Sequence, residues 1–189
     1  MIYIINCGSK KVANFSKILD EIKIDNKIIS FDEIEKFDFS KSSGIIISGA
    51  PILLTKNDKK IFLNKFNFLL NYENPVLGVC FGHQIIGLLY NAKISLGRDI
   101  RYLEHIEIIK QDPIFKDILN EKFIEDHCEY ITIPDNFDRI AKSPSCDNEA
   151  MKHKTKNIYG VQFHPEVSER VGKIFLKNFV DICNKTDLF

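Results

Sequence analysis

The first half of the chain switches repeatedly between two hydrophobic periods. Short apolar runs, "IYIIN" (2–6), "NKIISF" (26–31), "GIIISGAP" (44–51) and "PVLGV" (75–79), are bounded by turn residues and read as strands. Between them the period lengthens. In "KKVANFSKILDEIKI" the residues Val12, Phe15, Ile18, Leu19 and Ile22 recur at helical spacing. "DKKIFLNKFNFLLNYE" (58–73) is amphipathic in the same way, and "GHQIIGLLYNA" (82–92) follows the fourth strand at once. The isoleucines of the third run suit a strand covered on both faces. Strands alternating with helices predict an α/β fold with a mostly parallel central sheet flanked by helices.

Past about residue 93 the long period disappears. "KISLG", "EHIEIIK", "KFIEDH", "YITIP" and "FDRIAKS" are short strand-like pieces with turns between them, and they predict a small antiparallel annex. "NEAMKHKTKNIYGVQF" reads as a hairpin turning at "KTKN", and "VGKIFLKNFVDICN" as a closing helix. No repeat, low-complexity tract or linker interrupts the 189 residues, so the expectation is a single domain over 1–189.

Charge and cysteine content narrow the function. Lys+Arg and Asp+Glu number 26 each, which leaves a formal net charge of zero and points to neither a nucleic-acid nor a membrane partner. No apolar stretch approaches bilayer length and the N-terminus has no signal-peptide pattern, so a cytoplasmic location is expected. Cys7, Cys80, Cys128, Cys146 and Cys183 are odd in number and lack CxxC spacing, so neither a disulfide framework nor a metal site is expected.

One cysteine sits differently from the rest. In "NPVLGVCFGHQ", Gly78-Val79-Cys80-Phe81-Gly82 places a thiol on the corner between a strand and a helix. Either Cys80 is a small buried hydrophobe, or it is a nucleophile raised on the thiol counterpart of a nucleophile elbow, facing the helix N-terminus that favours thiolate. A thiol nucleophile needs a base and the base needs an orienter. "YGVQFHPEV" supplies both: His164 can take the proton, and Glu166 can hold the other imidazole nitrogen. "IIISGAP" ends a third buried strand in a small-residue turn, where the amide of Ala50, with that of Phe81, can face a developing oxyanion. All three motifs follow strands of one parallel sheet, whose carboxyl ends converge on a ligand crevice. Elsewhere, His83 is expected to point away from Cys80, His105 to pair within a strand, His153 to lie on a solvated hairpin tip, and Cys7 and Cys183 to pack in the core.

"GVCFGHQ", "FHPEV" and "SGAP", in these positions, resemble the class I glutamine amidotransferases of the Cys-His-Glu type, over nearly the whole chain. "EAMKHKTKNIYGVQFHPEV" resembles more narrowly the glutaminase part of GMP synthetases, in the archaeal form where it is a separate small subunit. The resemblance implies a flavodoxin-like core and glutamine as nitrogen donor. It implies Cys80, His164 and Glu166 as the catalytic triad, with Ala50 and Phe81 at the oxyanion and Gly49, Gln84, His127 and Cys128 around the glutamine. It also implies a partner, an ATP-dependent synthetase subunit of the ATP-pyrophosphatase type, which would carry the ATP and magnesium; this chain needs no cofactor and contains no Walker-type loop. The alternatives are the glutaminase of another synthase, such as anthranilate synthase, a free-standing amidase, or a non-catalytic regulatory relative. Four positions in three motifs depart from the family pattern. Asn6 stands where Asp is frequent. Ala50 replaces a second glycine, which requires a negative φ there. Asp126 and Glu129 flank His127 and Cys128 where the family has roughly S-H-x-D, and they are expected to set extra negative charge against the substrate carboxylate.

Overall fold

The computed structural model describes residues 1–119 and 121–186. The predicted strands form β1 (Ile2–Asn6), β2 (Asn26–Ser30), β3 (Gly44–Ile47) and β4 (Val76–Val79), and the hairpin supplies β11 (Ala150–His153) and β12 (Ile158–Val161). With β7 (Glu107–Ile108) and β10 (Phe137–Lys142) they make one eight-stranded sheet in the order β2-β1-β3-β4-β12-β11-β10-β7. The five strands from β2 to β12 run parallel, and the last three pair antiparallel. The rest of the annex is two two-stranded sheets, β5 (Ile94–Ile100) with β9 (His127–Ile131) and β6 (Leu103–His105) with β8 (Lys122–Ile124).

The helices are α1 (Val12–Glu21), α2 (Lys59–Phe66), α3 (Phe81–Leu89) and α4 (Glu169–Thr186). Val12, Phe15, Ile18 and Leu19 form the buried stripe of α1, as their spacing predicts. Asp58 caps α2 by accepting from the amide of Lys60 at 3.0 Å. The predicted helix over 58–73 is divided: α2 stops at Phe66 and Asn67–Asn71 tighten into a 3-10 helix. The buried residues there are Phe66, Leu69 and Tyr72, three apart, and that period matches three residues per turn better than 3.6.

Every residue of β3, β4 and β12 is buried, so the centre of the sheet is covered on both faces. Each fully buried isoleucine or valine contributes about 1.5–3 kcal/mol, which makes this centre the rigid part of the scaffold. The sheet order reverses direction between β1 and β3, the arrangement that opens a crevice beyond the strand carboxyl ends.

Candidate active site

The crevice holds a cavity of about 470 Å³. Its walls come from four strand ends: Gly8 to Lys11 after β1, Ala50 to Leu53 after β3, Cys80 and Phe81 after β4, and His164 after β12. Gln84, Arg101 and the run Asp126 to Glu129 complete it.

Cys80 sits on the corner with φ 52° and ψ −102°, a backbone conformation that costs about 1–3 kcal/mol and persists only where neighbours impose it. Here glycines impose it. A Cβ on Gly78 would stand 2.5 Å from the carbonyl of Gly82, and one on Gly82 would stand 2.5 Å from the Ile47 oxygen. Strand, elbow and helix are therefore in backbone contact, and α3 begins at the residue after the thiol. The Cys80 sulfur lies 3.8 Å from the carbonyl oxygen of Asp126.

His164 meets Cys80 from the neighbouring strand. Its Nδ1 is 2.7 Å from Glu166 Oε1, and both side chains are almost fully buried. With the Nδ1 proton directed at the carboxylate, Nε2 is the nitrogen left for the thiol. The His164 amide donates to Ile124 O at 2.9 Å and its carbonyl accepts from Ser168 Oγ at 2.7 Å, so the ring is mounted on a fixed backbone. Burial disfavours the imidazolium, but the charges and hydrogen bonds of Cys80 and Glu166 outweigh it and raise the His164 pKa to about 10. Gly49 packs beneath both groups: a Cβ there would lie 3.1 Å from His164 Cε1 and 3.6 Å from Cys80 Cβ. Ala50 has no positive φ, so the condition for replacing a glycine is met without strain.

Gln84, one turn into α3, directs its amide to the Glu129 carbonyl at 3.2 Å and to Gln162 Oε1 at 3.3 Å, and lines the cavity. His127 and Cys128 line it as well; burial, then the Glu129 charge, raises the Cys128 thiol pKa. The repulsion expected from Asp126 and Glu129 is not what the geometry gives. Glu129 is buried and its two oxygens accept from the amides of Leu54 and Thr55 at 2.8 and 2.7 Å. Asp126 is clamped by Lys11 at 2.5 Å and Arg101 at 2.9 Å. Burial alone would raise its carboxyl, yet those cations hold it below the usual range. Asn6 replaces the family aspartate without loss of a turn, since its Oδ1 still accepts from Gly8 N at 2.9 Å.

Several side chains sit elsewhere than expected. His153 is not on a solvated tip: it is buried, its Nδ1 accepts from the amides of Thr155 and Lys156, and its ring packs edge-on to Tyr90 and Phe137. His83 is fully buried, and burial lowers its pKa to about 3, so it is a neutral core residue. Cys7 and Cys183 are buried as expected; burial pushes the Cys7 thiol up to about 12. Sequence reasoning missed Lys11 and Arg101, which come from a turn and the annex. The one available signal was the Gly-Ser-Lys-Lys run after β1.

A thiol, an imidazole and a carboxylate in series, on a flavodoxin-like sheet with a helix N-terminus at the thiol, define a cysteine-dependent acyl-transfer site. Residues 3–183 match the model of the class-I glutamine amidotransferase family, and the chain belongs to that family. It is 38% identical over 191 residues to the glutamine-hydrolyzing GMP synthase subunit of Pyrococcus abyssi, covering 98% of this chain and all of that one. It is 39% identical over 192 residues to the protein of the same name from Methanosphaera stadtmanae, covering 96% and 97%. A crystal structure from Thermoplasma acidophilum, assigned to the same GMP synthase component, superposes with a TM-score of 0.89 at 26% identity, over 99% of this chain and 95% of that one. Among the described residues no helix is long and apolar enough to cross a membrane.

Proposed function

We propose that this chain hydrolyses the side-chain amide of glutamine and delivers the ammonia to a synthetase subunit that makes GMP from XMP. The observation that carries the reading is His164, held by Glu166 at 2.7 Å and set beside a thiol on a strained elbow. The Cys80 thiolate attacks the amide carbon, and the oxyanion that forms is held by the amides of Ala50 and Phe81. His164 gives its Nε2 proton to the departing nitrogen, which leaves as ammonia. It then takes a proton from the water that hydrolyses the γ-glutamyl thioester, releasing glutamate and restoring the thiol. Glu166 keeps the ring oriented and stabilises its charge. Gly49, Gln84, His127 and Cys128 shape the pocket around the substrate. At the amino-acid end, Asp126 meets the α-ammonium, and Lys11 and Arg101 meet the α-carboxylate.

The ammonia acceptor belongs to a second subunit of the ATP-pyrophosphatase type, which carries the ATP and magnesium. Support comes from the relatives, which are named as one subunit of a GMP synthase and match this chain end to end. The test is glutamine-dependent GMP formation from XMP with a candidate synthetase subunit. Glutamate release that couples to GMP formation, and stops in Cys80→Ala while added ammonium still supports synthesis, is the expected result. Glutamate release with no effect on any XMP-using partner would assign the chain to another synthase or to a free-standing amidase.

A further inference from the structure

Behind the catalytic cavity the chain buries three ionisable side chains together. Glu125, just past β8, His127, the first residue of β9, and Glu149, just before β11, each offer a ligand atom, and these atoms all lie within 4.8 Å of one another. Glu125 and Glu149 are 1% and 0% exposed, and His127 is 5%. Four atoms of this cluster meet no donor group among the described residues, Glu125 Oε1 and Oε2, Glu149 Oε2 and His127 Nε2, and the one bond open to the two carboxyl groups is a proton shared between Glu125 and Glu149. His127 Nδ1 lies 3.3 Å from the Glu129 carbonyl, and a proton there leaves a lone pair on Nε2, which is 3.3 Å from Glu125 Oε2. A buried acceptor left without a donor is unfavourable, so the arrangement calls for one.

The cluster lies between two hollows. On one side His127 lines the catalytic cavity, and the carbonyl of its neighbour Asp126 is 3.8 Å from the Cys80 sulfur. On the other, Ser143 Oγ joins Glu149 Oε1 at 2.7 Å to Glu104 Oε2 at 3.0 Å, and Glu104 and Ser145 line a second hollow of about 450 Å³.

We propose that Glu125, His127 and Glu149 form a buried binding site for one ammonium ion, placed between the nucleophile and the second hollow. The proposal rests on the glutaminase reading, since that reaction releases ammonia beside Asp126. Ammonium is a tetrahedral cation with four N–H donors and faces more acceptors than one shared carboxyl proton can satisfy. The ligand atoms lie within 4.8 Å of one another, with His127 Nε2 and Glu125 Oε2 at 3.3 Å, so an ammonium ion with N···O near 2.9 Å binds by spreading that pair. Charge also fits: one ammonium and one retained carboxyl proton neutralise two carboxylates. Burial pushes Glu125 up to about 8 against the opposing hydrogen bond with Glu149 and the His164 charge, and burial with the Glu125 charge raises Glu149 well above the usual range, so the pair retains that proton.

The test uses the full chain carrying Cys80→Ala, in which no turnover intervenes. Thermal unfolding is compared in ammonium, potassium and sodium chloride at matched ionic strength, and separately with manganese or zinc and with EDTA. Ammonium is expected to raise Tm by a few degrees beyond potassium and sodium, and the difference is expected to vanish when Glu125→Gln or Glu149→Gln is added. Equal responses to the three salts overturn the proposal, as does an ammonium response that survives both substitutions. A shift produced by manganese or zinc, reversed by EDTA, replaces it with a divalent centre. NMR of the same chain with 15N-ammonium provides a readout independent of the glutamine variants: cross-relaxation between bound ammonium protons and the His127 ring is expected, and its absence overturns the site. Glutamate release by the intact-Cys80 chain is measured in parallel. Ammonium binding without glutaminase activity would remove the catalytic reading and leave the site; glutaminase activity without ammonium binding would do the reverse.

Discussion

Gly49→Ala separates the positioning of the imidazole from the stability of the fold. The added Cβ would stand 3.1 Å from His164 Cε1, closer than the optimum of about 3.5–4.0 Å for two carbons, so the ring must retreat by about 0.4 Å. Its backbone cannot follow, because the His164 amide is bonded to Ile124 O at 2.9 Å. The side chain tilts instead, at the expense of the Glu166 bond or of the approach to Cys80. A misplacement of 1 Å costs about a hundredfold in rate, so 0.4 Å corresponds to a loss of roughly five- to tenfold in kcat. Stability is expected to stay within about 1 kcal/mol, since Gly49 has no positive φ and alanine there reduces unfolded-chain entropy. Steady-state glutamate release and a thermal melt measure the two quantities on one preparation. An unchanged kcat, or a loss confined to KM, would refute the positioning argument. A collapse in Tm would show that Gly49 serves the backbone instead.

Cys80→Ala is expected to fold normally and to lose at least a thousandfold in glutaminase rate, and activity near that of the parent would end the mechanism. A glutamine-analogue electrophile is expected to modify Cys80 and spare Cys7 and Cys146, whose thiols burial drives upward; peptide mapping that finds the label on either would relocate the site. Gly82→Ala sets a Cβ 2.5 Å from the Ile47 oxygen, a backbone atom that cannot move aside, and is expected to destabilise the protein by about 3 kcal/mol or more; an unchanged denaturant midpoint contradicts this. His164 gains affinity for its proton on folding. It therefore stabilises the protein fully below its unfolded pKa of about 6.5 and loses that contribution as pH rises to about 10; the stability gap between the parent and His164→Gln is expected to narrow across that window, and a constant gap argues against a protonated His164 held between Cys80 and Glu166.

The parallel half of the fold was legible because burial on both faces writes itself as uninterrupted isoleucine and valine, and α1 because its stripe repeats at helical spacing. The meeting of Cys80, His164 and Glu166 was legible for a related reason. Cys80 and His164 each follow a buried strand, so motif and element boundary coincide. The polar surroundings were not. Glu129 reads in the chain as a charge facing substrate, and only folding brings Leu54 and Thr55 amides onto it from 75 and 74 residues away. Lys11 and Arg101 converge on Asp126 from a turn and from the annex, a meeting that no local period encodes. His153 read as solvated because its sequence neighbours are lysines, whereas the turn it closes folds the ring inward against Tyr90 and Phe137.

Strand β12 enters the sheet between β4 and β11, pairing Ile158 to Val161 with Val76 to Val79. During synthesis, β4 and its elbow are made some eighty residues before the strand that covers them. Until then β4 is an open, apolar edge and a ready template for misdirected pairing. The same late strand carries His164 to Cys80. The step that closes the dangerous edge is thus the step that assembles the proposed catalytic pair. A nascent or proteolytically shortened chain lacking β12 would have a thiol without a base, so it could not release ammonia before the sheet is complete.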